Sequence, residues 1–348
     1  MKVRVLTSIA VSLFLLEGVL AKNTRRDAAA PAGYRLIQKI TLGGEGGWDY
    51  LTLDPQSHRL YISRSTHVIV MDADSGKVVG DIPNTSGVHG IALVPELNKG
   101  FTSNGRDNTV TVFDLRTLTV SKQIPVGKNP DAIIYDSASK LVFTGNGISL
   151  DATAIDPQSE IVKGTIPLAG RPEFAVSDEK GHVFVNLEDK SMIAEIDSRK
   201  LTVAARWPLA PGEEPTGLAI DRQHRRLFAG CANKLMAVVN IDNGRVITTL
   251  PIGSGVDATA FDPATQLAFS SNGEGTLTVI HEVSPDKFTV LENVTTQRGA
   301  RTMTLDPKTH KIFLVSADFG PPPAPTPERP RPRPSILPGT FVVLVMGK

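Results

Sequence analysis

Cysteine is all but missing from this chain. Cys231 stands alone, so no disulfide can form within it, and a lone thiol without a partner fits a packing role better than a reactive one. Catalytic signatures are missing too: the sequence has no Cys-x-x-Cys-His, no His-Glu-x-x-His, no Gly-x-Ser-x-Gly and no phosphate-binding P-loop. No apolar run approaches the roughly 18 residues of a membrane helix. Charge of one sign is lacking as well. With 37 basic and 36 acidic residues and no basic block, the chain carries no electrostatic footprint for nucleic acid. What remains, 41% hydrophobic and 21% charged, is the composition of an ordinary globular protein.

The N-terminus reads as a targeting segment rather than as part of the fold. Met1 to Val5 is basic, residues 6–16 (LTSIAVSLFLL) are apolar but too short to span a bilayer, and Val19-Leu20-Ala21 offers small residues at a cleavage site. The expectation is a signal peptide over 1–21, cleaved after Ala21, and an exported protein, periplasmic or extracellular. Losing Lys2, Arg4 and Glu17 with it leaves 35 basic and 35 acidic side chains, a formally neutral chain. Residues 22–33 (KNTRRDAAAPAG) read as a flexible leader.

The rest of the chain repeats one pattern. In residues 255–291, four short apolar or alternating stretches at 256–261, 267–270, 276–280 and 288–291 read as strands. Asp262-Pro263 opens the first turn and Asn272-Gly273 marks the second, a dipeptide suited to turns that need positive φ. Units of the same kind begin at Asp49, His89, Asp131, Glu173, Thr216, Asp257 and Arg301, at intervals of 40, 42, 42, 43, 41 and 44. Five residues into each comes a turn position, an Asp in all but the second: Asp54, Val94, Asp136, Asp178, Asp221, Asp262 and Asp306. Third strands end in Asp72, Asp114, Asp156, Asp197 and Asp242. A four-strand period of about 40–45 residues predicts an all-β, seven-bladed β-propeller over 34–348.

The seventh unit offers only three strands before Lys348. Residues 34–42 (YRLIQKITL) resemble the fourth strands elsewhere and are expected to complete that blade, closing the ring. The same unit carries an insertion at 317–339, in which nine of 23 residues are Pro. That composition favours an extended polyproline II arm, and a loop of this length is either functional or a disordered excursion.

The repeat resembles the YVTN-repeat, YncE-like exported propellers, which are WD40-like in plan. The pieces that carry the likeness are Gly127-Lys128-Asn129-Pro130, Phe101-Thr102-Ser103-Asn104, Val110-Thr111-Val112-Phe113-Asp114 and Ile124-Pro125-Val126-Gly127. It covers nearly all of 34–348 outside the arm, and departs from the pattern at Arg64 and Ser316, where Asn is expected. The resemblance implies a binding or scaffold module more than one defined enzyme class. Two tryptophans, Trp48 and Trp207, are too few for a quinoprotein propeller with a Trp motif in each blade.

In such a ring the innermost strands line the channel, and two sets of loops converge on one mouth. The first set is expected to present Asp49, His89, Asp131, Glu173, Thr216, Asp257 and Arg301; the second presents Arg64, Asn104, Asn146, Asn186, Cys231, Asn272 and Ser316. Four carboxylates about a narrow axis repel unless a cation intervenes. Asp49, Asp131, Glu173 and Asp257 are thus candidate ligands of a divalent metal, with His89 a nitrogen donor. The other reading is that these groups, and the Asn set above all, serve turns and bond the backbone of neighbouring blades. Arg64, Arg171, Arg298 and Arg301 are candidates for holding an anion. The remaining histidines (58, 67, 182, 224, 281 and 310) read as solvated surface. No resident cofactor is expected apart from that possible metal.

Two functions follow as expectations. The first is an exported, monomeric binding or scaffold protein that recognises an unidentified small molecule or protein partner at its channel mouth. Its ligand-binding set is Asp49, His89, Asp131, Glu173, Asp257, Arg301, Arg64, Asn104, Asn146 and Asn272. The second is a metal-assisted lyase or lactone hydrolase in which the ring carboxylates hold the ion and His89 or Glu173 is the general base.

Overall fold

Small and β-branched residues at alternate positions favour the pleated, half-buried surface of a strand, and here they produce seven four-stranded antiparallel sheets in a ring. The computed structural model describes residues 33–326 and 334–348. The signal-peptide and leader expectations fall outside them, except for Gly33, and so does the arm over 327–333. Among the described residues no helix is long and apolar enough to cross a membrane.

Blade 6 shows the unit, with strands Val256–Asp262, Leu267–Asn272, Thr276–Ser284 and Lys287–Thr295 running from the axis outward. Blade 7 is completed by the N-terminal strand Arg35–Thr41, which pairs antiparallel with Val342–Gly347, Arg35 facing Gly347 and Thr41 facing Val342. The ring thus closes without a covalent link. Tyr34 anchors the junction, its hydroxyl donating to the His310 carbonyl at 2.8 Å.

The core lies between blades rather than in the middle of the ring. One aromatic from each second strand fills these seams: Tyr61, Phe101, Phe143, Phe184, Phe228, Phe269 and Phe313 are all buried. Each contributes about 2–3 kcal/mol of burial. Along the cluster joining blades 7 and 1, Phe313, Val343 and Val345 meet Leu51, Leu60 and Ile62.

The turn marks have clear physical roles. Asp262 Oδ1 accepts the Ala264 N–H at 3.1 Å and its Oδ2 accepts the Thr265 hydroxyl at 2.7 Å; Asp54, Asp136, Asp221 and Asp306 cap their turns in the same manner. Two details differ from expectation. The third strand of blade 5 ends at Asn240, not Asp242, and the Asn240 side chain accepts the Asp242 N–H at 2.7 Å. The loop after Asn272 takes its positive φ at Gly275 (+105°), while Asn272 stays in the strand. Its amide donates to the Thr276 and Thr278 hydroxyls, each at 3.0 Å, and that pull into the blade removes it from the turn.

Candidate functional site at the channel mouth

Local backbone irregularity aims the first set of residues. The innermost strands of blades 2 to 6 each shift register at their start, between Val88 and Ile91, Pro130 and Ile133, Pro172 and Ala175, Pro215 and Leu218, and Val256 and Ala258. Such bulges re-aim a side chain, and they enclose His89, Asp131, Glu173, Thr216 and Asp257. All seven residues of this set are half-buried. The two loop sets do share one face. Backbone bonds join them, Gly105 N–H to Gly87 O at 2.9 Å, Gly147 to Asn129 at 2.8 Å and Gly273 to Gly255 at 2.8 Å.

At the axis stands a residue that the sequence reading passed over. The Tyr50 hydroxyl donates to the Glu173 carbonyl at 3.2 Å across the ring, and its ring stacks on Phe174 with centroids 5.1 Å apart. The position after each first-set residue holds Gly90, Ala132, Gly217, Ala258 and Thr302 in five blades, and Tyr50 and Phe174 in the other two. That pair of large residues in a column of small ones was the available signal. Together they floor the mouth: the space left beside them, bounded by Asp49, Glu173 and Asp257, is about 10 Å³, room for one water at most.

An aromatic floor under a ring of acids raises the cost of charge. Burial, then the charges of Asp131, Glu188, Asp257 and Asp49, push the Glu173 carboxyl up to about 9. Burial also raises Asp131, to about 7, with Asp49 and Asp257 adding to it and His89 opposing. For His89 burial alone would lower the pKa. The hydrogen bond to Asp49 and the charges of Asp131, Asp49 and Asp257 outweigh it and lift the imidazole to about 9. His89 Nδ1 lies 2.5 Å from Asp49 Oδ2 and 3.7 Å from Asp131 Oδ2, and Arg301 Nε lies 3.2 Å from Asp257. At neutral pH the mouth therefore holds an imidazolium and a protonated Glu173. Asp49, His89 and Asp131 offer donor atoms all within 4.8 Å of one another, a set able to take a metal ion; Glu173 and Asp257 are not in it.

The second set does not reach the mouth. Asn104 is fully buried and donates to Thr109 and Thr111 at 3.1 and 2.7 Å, while Asn146 donates to Asp151 and Thr153 at 2.6 and 2.9 Å. Asn272 makes the equivalent bonds described above, and Asn186 ties its blade to the next through the Thr216 carbonyl at 3.0 Å. Cys231 is buried, which pushes its thiol up to about 12, and the Ser316 hydroxyl donates to the Arg298 carbonyl at 2.7 Å. Arg64 is buried too, 3.7 Å over the Phe341 ring, with its N–H groups donated to the carbonyls of Gly46 and Glu45 at 3.1 and 2.9 Å. Of the four Asn residues only Asn186 bonds the backbone of a neighbouring blade; Asn104, Asn146 and Asn272 tie the second and third strands of their own blades instead.

The four arginines do not converge. Arg171 pairs with Glu188 at 2.5 Å, and only Arg298 and Arg301 share a cleft. That cleft, of about 370 Å³, is walled by Trp48, Phe319 and Ile336. A second, of about 330 Å³, opens over Asp49, His89, Arg106 and Asn129, and the two meet at Gly47 and Trp48. The feet of the proline arm form one wall: Phe319 bridges to Ile336, with Gly320 N–H to Ser335 O at 2.9 Å. On the opposite face the histidines are not simply solvated. His58 reaches Asp306 at 2.9 Å and His310 reaches Asp262 at 2.8 Å, each clasping the turn aspartate of the preceding blade.

The fold and its mouth define a class, a seven-bladed β-propeller with a floored, polar channel. No family model matches the chain, and no curated protein does. Among solved structures it is similar to the hydrazine synthase of Kuenenia stuttgartiensis, with a TM-score of 0.70 at 16% identity, over 79% of this chain and 93% of that one. At that identity the likeness is one of fold.

Proposed function

We propose that this protein is a binding module whose channel mouth receives a small zwitterionic ligand or a peptide end from a partner. One observation carries the reading: a polar cleft over Asp49 and His89 adjoins a cleft with Arg298 and Arg301, and Trp48 is shared between them. A basic group then lies toward Asp49 and Asp131 and a carboxylate toward the arginines, with apolar atoms on Trp48. The likeness to YVTN-repeat propellers supports a binding role, and the pattern of residues 1–21 supports export; we read the protein as a monomer. The test is a melting-temperature screen with free amino acids and dipeptides. Some should stabilise the protein, and the shift should vanish in Asp131→Asn with Arg298→Ala while surviving in Asp107→Ala on the outer wall. No stabilising compound, or a shift that the double variant keeps, rejects the mouth as the binding site.

The close grouping of Asp49, His89 and Asp131 favours a second reading, a metal-assisted lyase or lactone hydrolase. There the three hold a divalent ion that acts as Lewis acid, and Glu173, carrying its proton, serves as general acid. Elemental analysis of the dialysed protein tests it. An ion lost on Asp131→Asn, together with lactone turnover, supports the reading; a metal-free and inactive protein discards it.

A further inference from the structure

On the face away from the mouth, two of the seams between blades place a polar side chain at the same position, opposite a turn aspartate. Between blades 3 and 4 the buried Asp136 accepts the hydroxyl of Ser198, the residue just after the third strand of blade 4, at 2.7 Å. Between blades 5 and 6 the same place is taken by Glu282, in the third strand Thr276–Ser284, opposite Asp221. The backbone confirms the equivalence: Ser198 N–H donates to Gly181 O and Glu282 N–H to Gln266 O, both at 2.9 Å. A hydroxyl has thus been replaced by a carboxylate, which has no proton to donate when ionised.

Glu282 is fully buried, and neither of its oxygens accepts a hydrogen bond. Arg226, next but one after His224 in the sequence, donates to the carbonyls of Pro285, His224 and Arg225 and to Asp286. His224 completes the group. Its Nδ1 lies 2.7 Å from Asp221 Oδ2 and 3.2 Å from Glu282 Oε1, yet it makes no hydrogen bond of proper geometry to either. Asp221 accepts the Gln223 and His224 backbone N–H groups at 2.9 and 3.2 Å, but the Glu282 oxygens and His224 Nδ1 are left over, and one ligand atom from each of the three residues lies within 4.8 Å of the others. Burying the Glu282 charge without a hydrogen bond is costly unless a proton or a cation joins it.

We propose that Asp221, His224 and Glu282 form a structural site for a divalent transition cation of the zinc class, pinning blade 5 to blade 6. Two oxygens and one nitrogen suit that class, with a water as fourth ligand from the side where His224 is part-exposed. Tetrahedral bonds of about 2 Å set ligands about 3.3 Å apart, so the 2.7 Å contact opens slightly on binding. The site is independent of the channel mouth.

The experiment loads protein stripped by a chelator with Zn²⁺, reads the bound stoichiometry by elemental analysis, and repeats the loading with Co²⁺ to read its visible absorption. Glu282→Ser restores the hydroxyl of the other seam and so should fold, with a metal-free melting temperature at or above that of the stripped wild type. We expect it to bind one Zn²⁺ fewer than its parent and to lose the Co²⁺ band of this site, in the wild-type and in the Asp131→Asn background alike. Equal stoichiometry in wild type and Glu282→Ser overturns the proposal. So does Asp131→Asn protein that binds no Zn²⁺, since the two carboxylates would then be sharing a proton instead.

Discussion

Glu173 pays most visibly for its surroundings, because an aromatic pair lies beneath it and three other carboxylates stand around the same axis. Its ordinary value is 4.5 and its folded value about 9, so between those limits the folded chain keeps a proton that the unfolded chain has lost. Raising the pH through that window costs stability. His89 acts in the same direction. Its pairing with Asp49 is fully felt below 6.5 and is lost as pH passes about 9. The metal-free protein is therefore expected to melt at progressively lower temperature from pH 6 to pH 10. Glu173→Gln should flatten the fall and melt above wild type at pH 9. A flat profile in the wild type, from calorimetry in low-salt buffer, would contradict this account.

Among the elements, the strand Arg35–Thr41 shows what sequence can reveal. Its likeness to the fourth strands, with a three-strand unit at the other end of the chain, was enough to place it, because pairing partners and period are written into local pattern. The channel set was legible for the same reason, since each member sits at a fixed offset from a turn aspartate. Tyr50, the clasping histidines and the buried Arg64 were not. Their roles depend on contacts between blades, such as Tyr50 with Glu173, 123 positions apart, and no short-range pattern reports those. Deleting residues 34–42 would bare the fully buried Val342–Gly347 and remove Tyr34 from its seam. The loss of several apolar side chains at about 2 kcal/mol each should lower the melting temperature by roughly 10 °C or more. Scanning calorimetry of the truncated chain checks it, and an unchanged transition would contradict the closing role.

For the molecule as a whole, seams between blades carry the core, while the described arm residues 321–326 are exposed. Removing residues 324–334 leaves the Phe319–Ile336 bridge and every strand in place. The variant should melt within about 2 °C of wild type, well under one buried side chain's worth. A larger drop would mean that the arm packs on the ring.

The junction of Arg35 with Gly347 also sets a clock. A ribosome adding about 5–20 residues per second needs on the order of half a minute to supply the partner of a strand it made near the outset. Throughout that interval Leu36 and Ile37, still exposed in the finished ring, sit on a strand with both edges open. The nascent chain thus offers a chaperone, or a sister chain on the same message, a ready place to pair before the circle is complete.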